Sequence, residues 1–118
     1  MEQANAGGYT PLHIACMYAH IDVVTKMLAA NVAVGRAMDN GVTPLHLACM
    51  EGHAEIATAL VAAGADENQP TNNGRTPLFF ACSNGHTETA AALLAANANL
   101  NQADSGGATP LYLSLIHI

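Results

Sequence analysis

Histidine, cysteine and glutamate side chains, which often carry out catalysis or hold metal ions, lie close together in the segment GVTPLHLACMEGH, from Gly41 to His53. His46 is a candidate general base, Cys49 a candidate nucleophile and Glu51 a candidate carboxylate ligand. A catalytic or metal site needs these particular side chains, so a position where equivalent segments carry a different type of residue argues against one. Whether the segment does chemistry therefore depends on how the rest of the chain treats these positions.

Related segments occur three more times in the chain at constant spacing. GYTPLHIACMYAH begins at Gly8, GRTPLFFACSNGH at Gly74 and GATPLYLSLIHI at Gly107. Successive threonines of the TPL motif are 33 residues apart, at Thr10, Thr43, Thr76 and Thr109. A constant period of this length is typical of stacked supersecondary units that bury their apolar faces against one another.

The histidines form two columns in this alignment, and neither favours a metal or catalytic site. His13 and His46 have Phe79 and Tyr112 as their equivalents, and an aromatic ring cannot supply the imidazole nitrogen that such a site needs. The second column comprises His20, His53 and His86. Packed helices place equivalent residues about 10 Å apart, too far for one metal ion that needs ligands at about 2 Å.

The cysteines occupy a single column that continues in a leucine. Cys16, Cys49 and Cys82 are followed at the fourth equivalent position by Leu115. The position therefore favours a small or medium apolar group inside the stack, where a thiol is inert. We predict no catalytic activity, no metal, no cofactor and no small-molecule substrate.

Composition and charge restrict the remaining classes. A chain of 118 residues that is half hydrophobic forms one folded domain. Three basic residues against nine acidic ones, a net charge of −6, argue against nucleic acid and anionic membrane surfaces as partners. No apolar run approaches the roughly 20 residues of a membrane span, and no signal peptide is visible. Three evenly spaced cysteines fit a reducing compartment, so we expect an intracellular, cytoplasmic location, with a nuclear one left open.

Each repeat predicts two helices. Thr43 suits the N-cap and Pro44 the first turn of a short helix, which Gly52 ends by allowing a left-handed backbone. A second helix runs from Ala54 towards Gly64, with apolar residues at three- and four-residue spacing. The following AGADENQPTNNGR contains the residues of turns and predicts a hairpin-like connection to the next helix pair.

TPLHIA, TPLHLA, the GH that follows the short helices and AAGADEN together resemble ankyrin repeats. The resemblance implies an all-α solenoid, a stack of antiparallel helix pairs joined by hairpin-like loops. It divides a single domain, 1–118, into repeats at about 5–37, 38–70 and 71–103 and a partial repeat at 104–118. It also implies that His13 and His46 are structural, bonding to the preceding threonine and to the backbone of the neighbouring turn.

Several positions depart from the family's pattern. Its aspartate near the start of each repeat is present only at Asp104, and Asn5, Met38 and Thr71 stand at the equivalent positions, so we expect weaker, more mobile hairpin tips in the first three repeats. Ala19 replaces the glycine of the later repeats at a position that needs positive φ, which costs on the order of 1 kcal/mol. The milder substitutions Asn31 and Asn97 replace the glycine represented by Gly64.

The resemblance implies a non-catalytic module, expected to be monomeric, that binds a protein or peptide on its concave face. The residues that vary on that face are those of the hairpin tips and the ends of the short helices, and we expect the core not to need them. In this chain they are Ala6, Gly7, Tyr9, Met17, Tyr18, Asp39, Asn40, Val42, Met50, Glu51, Asn72, Asn73, Arg75, Ser83 and Asn84. Exposed tyrosine and methionine contribute more to binding than asparagine and serine, so we expect an apolar cluster of Tyr9, Met17, Tyr18, Val42 and Met50 to make the first two repeats dominant.

Two further expectations concern modification and context. Asn68 and Asn101 match the position at which some ankyrin repeats are hydroxylated on asparagine, although an asparagine that bonds its own hairpin is the simpler interpretation. The first helix pair exposes apolar residues and SLIHI replaces a polar end, so we expect a piece of a longer array or non-native final residues.

The alternative function is the recognition or regulatory arm of a longer enzyme, channel or signalling protein.

Overall fold

The computed structural model describes residues 7–96, 98–99 and 101–111, and these residues form six α-helices in three successive pairs. The helices are α1 (Pro11–Met17), α2 (Ile21–Ala29), α3 (Pro44–Met50), α4 (Ala54–Ala62), α5 (Pro77–Ser83) and α6 (Thr87–Ala95). The described residues contain no β-strand. The predicted all-helical repeat solenoid is therefore confirmed. Asn5, Ala6, Asn97, Tyr112 and Leu115, which carry expectations above, lie outside the described residues.

The short helices begin as their sequences predict. The hydroxyls of Thr10, Thr43 and Thr76 accept hydrogen bonds from the backbone N–H three residues on, at 3.2–3.3 Å. A proline follows each threonine in the first turn, where its missing N–H has no helical partner to lose. The helix start is thus encoded three times by the same two residues.

Left-handed residues end the short helices and turn the chain into the second helix of each pair. Gly52 and Gly85 have φ of 78° and 73°, and Ala19 adopts φ of 60° at the equivalent position. Asn31 also has φ of 60°, where Gly64 has 101°. The expected positive φ at Ala19 is confirmed; an L-residue in this region is strained because its Cβ lies close to its own carbonyl group.

The helices form two layers around a continuous apolar core. The short helices α1, α3 and α5 pack in one layer and the second helices α2, α4 and α6 in the other, with each pair also packed internally. The core includes Leu12, Leu45, Leu78, Leu60 and Leu93, all at most 3% exposed. No helix in the described part of the chain is long and apolar enough to cross a membrane.

Hairpin-like turns connect the pairs and extend beside the short helices. Their closing bonds run from the N–H of Met38, Thr71 and Asp104 to the carbonyl four residues on, at 2.8–2.9 Å. Adjacent tips are also joined, since Asn72 N–H donates to the Asn40 carbonyl at 3.1 Å and Ser105 N–H to the Asn73 carbonyl at 2.7 Å. The predicted hairpin-like connections are therefore present, and the tips belong to one continuous surface.

Candidate interaction surface

The buried histidines join each repeat to the next hairpin. His13 and His46 are fully buried, and their Nδ1 atoms accept from the backbone N–H of Thr10 and Thr43 at 3.1 and 2.9 Å. Their Nε2 atoms lie 3.0 Å from the carbonyls of Val42 and Arg75. A carbonyl can only accept, so Nε2 carries the proton. The predicted structural role of both histidines is confirmed.

Burial holds these histidines in the neutral form that the bonds require. Desolvation lowers the pKa of His13, and it lowers the pKa of His46 to about 4. In the third repeat, the equivalent Phe79 is buried instead and packs edge-on against Phe80, with ring centroids 5.8 Å apart. The Arg75 guanidinium lies 5.1 Å from the centre of the Phe79 ring.

The three cysteines are buried in the core and none forms a disulfide. Burial raises the pKa of the Cys16 thiol to about 12 and also raises the pKa of Cys49 and Cys82. Since the thiolate is the reactive form, these residues are neutral packing groups at physiological pH.

The second column of histidines also links neighbouring repeats. His53 Nε2 lies 3.4 Å from the Met17 carbonyl, and His86 Nε2 lies 3.0 Å from the Met50 carbonyl. Among the described residues, no three histidine, cysteine or acidic side chains are grouped where they could hold a metal ion.

A concavity of about 340 Å³, which we call the groove, lies between the hairpin tips and the short helices of the second and third repeats. It is lined by Asn40, Val42, Met50, Thr71, Asn72, Asn73, Arg75 and Phe80. Six of these residues were predicted from the sequence, and the structure brings them together. Thr71 and Phe80 were missed. The available signal for Phe80 was an aromatic residue at a position that is Ile14 and Leu47 in the other repeats.

Val42 requires a correction, because we expected a side chain that the core does not need. It is 7% exposed and its carbonyl accepts the bond from His13. The residue lies next to the Thr43 cap, where the hairpin closes against the first helix layer, so most of its surface is covered. Val42 therefore forms part of the groove floor.

Three of the polar variable residues also bond to a neighbouring repeat. Asn72 Nδ2 donates to the Asp39 carbonyl at 3.0 Å, and Asn84 Nδ2 donates to the Met50 carbonyl at 2.9 Å. Arg75 Nε pairs with Asp104 Oδ2 at 3.3 Å. Each bond joins the residue to an adjacent repeat, so it cannot be predicted from the sequence of a single repeat.

The predicted apolar cluster of the first two repeats is divided in the structure. Met50 lines the groove, whereas Tyr9 lines a separate apolar concavity of about 330 Å³ with Ile14 and Val23 of the first helix pair. Tyr18 is 64% exposed, and its ring centroid is 6.4 Å from that of His20. Six further predicted surface residues lie among the described residues and line neither of these two concavities. Of these, Gly7, Asp39, Glu51 and Asn84 are exposed, and Met17 and Ser83 are half-buried.

The two asparagines expected as hydroxylation candidates lie in the loops after the second helices. Asn68 is half-buried, and its Oδ1 accepts from Asn99 N–H at 2.8 Å. Asn101 is exposed, and its N–H donates to Asn99 Oδ1 at 2.9 Å. The Asn68 side chain thus bonds the loop of the next repeat, where its own hairpin was expected. Hydroxylation stays a prediction.

Helix pairs at constant spacing, joined by equivalent histidine and hairpin bonds, define a helical repeat protein. The family model for ankyrin repeats matches residues 1–71 and 60–117, with three copies. The chain belongs to the ankyrin-repeat family. A comparison with curated proteins found no match. Members of this family are generally protein–protein interaction modules and are typically non-catalytic.

Proposed function

We propose that this chain is a non-catalytic module that binds a protein or peptide partner through the groove on its concave surface. The observation that supports the proposal best is the composition of the groove, which combines an apolar floor with a neutral polar wall. Val42, Met50 and Phe80 supply the floor, and the tips at Asn40, Asn72 and Asn73 supply the wall. Binding sites commonly combine apolar contact area with a few orienting polar groups.

An extended peptide segment matches this arrangement. Its backbone presents N–H and C=O groups at regular intervals, which asparagine side chains can bond, while an apolar side chain contacts Met50 and Phe80. Arg75 is already paired with Asp104 and lies over Phe79, so it is held in place as part of the wall. The groove therefore presents its polar groups in an ordered arrangement before the partner arrives.

We further propose that the first two repeats dominate the affinity. Tyr18 and Met50 offer more contact area than the asparagines and serine of the third repeat, and residues of their kind form binding hot spots more often. Tyr18 is largely exposed and Met50 lines the groove, so both side chains are accessible.

The test is the affinity of a peptide selected against the wild-type chain from a displayed random library. We expect Met50→Ala and Tyr18→Ala each to raise Kd about tenfold in calorimetric titration, equivalent to about 1.4 kcal/mol. Glu55→Ala, on the exposed side of α4, is the matched control and should leave Kd unchanged. If Met50→Ala leaves Kd unchanged while circular dichroism shows a native fold, the groove is not the binding surface. An unchanged Kd for folded Tyr18→Ala would contradict the dominance of the first two repeats.

We also propose an intracellular location. The three free, buried cysteines support it, since thiols persist in reducing compartments.

A further inference from the structure

Two asparagine–glycine pairs occupy equivalent positions in successive hairpin tips. Asn40-Gly41 lies in the second repeat and Asn73-Gly74 in the third, and both asparagines are exposed and line the groove. Both glycines have positive φ, 87° and 80°. Each asparagine carbonyl also accepts a bond from the next hairpin. The backbone around the two pairs is thus closely matched.

The asparagine side chains differ, because the two hairpins satisfy the same backbone N–H in different ways. In the third repeat, Thr71 Oγ1 accepts from Arg75 N–H at 3.2 Å. In the second repeat the equivalent of Thr71 is Met38, which offers no such acceptor, and Asn40 Oδ1 accepts from Val42 N–H at 3.1 Å instead. In the described part of the chain the Asn73 side chain makes no hydrogen bond.

We propose that Asn73 is a site of spontaneous deamidation and that Asn40 is protected from the same reaction by its bond to Val42. The Gly74 nitrogen attacks Asn73 Cγ and its proton passes to the departing Nδ2; the Cγ–Nδ2 bond breaks and ammonia leaves, giving a succinimide. Water then adds to either succinimide carbonyl and opens the ring to aspartate or isoaspartate. The attack requires the side chain to rotate towards the following nitrogen, which Asn73 can do without breaking a side-chain bond.

The attacking nitrogens do not account for the difference. Gly41 N–H donates to the Met38 carbonyl and Gly74 N–H to the Thr71 carbonyl, both at 2.9 Å. Both reactions must break this turn bond, so its effect cancels in the comparison. The product at position 73 replaces a neutral asparagine of the groove wall with a negative charge, close to Arg75. In an isoaspartate the main chain runs through Cγ, so the former Asn73 carbonyl, which accepts from Ser105, becomes a carboxylate outside the main chain.

The experiment is incubation of the folded chain at mildly alkaline pH, followed by digestion and mass spectrometry of the peptides that contain Asn40 and Asn73. We expect Asn73 to react about fivefold faster, the factor that corresponds to a net hydrogen bond of about 1 kcal/mol. In concentrated denaturant the two rates should converge, because the protecting bond is lost. An equal or faster reaction at Asn40 in the folded chain would overturn the proposal.

Exchange of the two hairpin residues provides a matched pair of variants. Met38→Thr should release Asn40 and raise its rate about fivefold, while Thr71→Met should recruit Asn73 to Arg75 N–H and slow it by a similar factor. Circular dichroism establishes that each variant is folded. If both folded variants keep the wild-type rates, side-chain pairing does not control the reaction. None of these readouts depends on a partner, so they are independent of the proposed binding function.

Discussion

At the scale of single residues, the two buried histidines make the fold sensitive to acid. The folded chain holds His46 neutral with a pKa of about 4, against an ordinary value of 6.5. Between these values the unfolded chain binds a proton that the folded chain does not. The contribution of His46 to the free energy of unfolding is therefore fully present above pH 6.5 and is lost as the pH drops towards 4. The full loss from His46 is about 3 kcal/mol.

We therefore expect His46→Phe, which reproduces the residue at position 79, to flatten the dependence of unfolding free energy on pH between about 6.5 and 4. Its stability at neutral pH should fall, because the Arg75 carbonyl loses a donor at 3.0 Å. His46→Gln is the companion variant, since it does not titrate and can still donate. Urea titrations across the pH range measure both effects, and an unchanged slope in both variants would contradict the assignment.

At the scale of the structural element, the last carbonyl of a short helix accepts side-chain hydrogen bonds from the following repeat, and these bonds help to hold the two repeats together. The Met50 carbonyl at the end of α3 accepts from Asn84 Nδ2 at 2.9 Å and from His86 Nε2 at 3.0 Å. Among the described residues, the Met17 carbonyl at the end of α1 has a single partner beyond its own helix, His53, at 3.4 Å. Glu51 occupies the position equivalent to Asn84, and its carboxylate cannot donate to a carbonyl.

Glu51→Asn should consequently stabilise the chain by about 1 kcal/mol, through a new bond to the Met17 carbonyl and the loss of a negative charge at the end of α3. Asn84→Glu is the reciprocal change and should destabilise it by a similar amount. Chemical denaturation at neutral pH compares the two variants with wild type. A Glu51→Asn variant no more stable than wild type would show that the 3.4 Å contact already satisfies the Met17 carbonyl.

The helices and turns could be predicted from one repeat, because Thr43, Pro44 and Gly52 act on backbone within a few residues of themselves. The contacts of Asn72 and Asn84 could not, since they depend on where the stacked neighbour places a carbonyl about 33 residues away. The burial of Val42 depends on the same stacking. Most of the groove lining can therefore be predicted from the sequence, while the bonds of its residues to a neighbouring repeat cannot.

At the scale of the whole molecule, the contacts between repeats are unequal, and stability should vary along the stack. A Cβ at Gly52 would lie 2.6 Å from His86 Nδ1, so the glycine lets His86 approach its carbonyl. Ala19 carries a Cβ at the equivalent position, with φ of 60°, where the corresponding histidine bond is the longer one. Strain and a weak interface thus coincide at the first repeat.

Because a solenoid's stability is roughly the sum of its repeats and their nearest-neighbour interfaces, the first helix pair should open before the others. Native-state hydrogen exchange should give the amides of α1 and α2 a lower opening free energy than those of α3 and α4. Ala19→Gly should raise protection of α1 and α2 by about 1 kcal/mol, through relief of backbone strain and closer approach of His53. Gly52→Ala should lower protection at the next interface by more than that, because it adds the clash with His86 to the strain. Equal opening free energies along the stack, unchanged by Ala19→Gly, would mean instead that the described repeats unfold as a single cooperative unit.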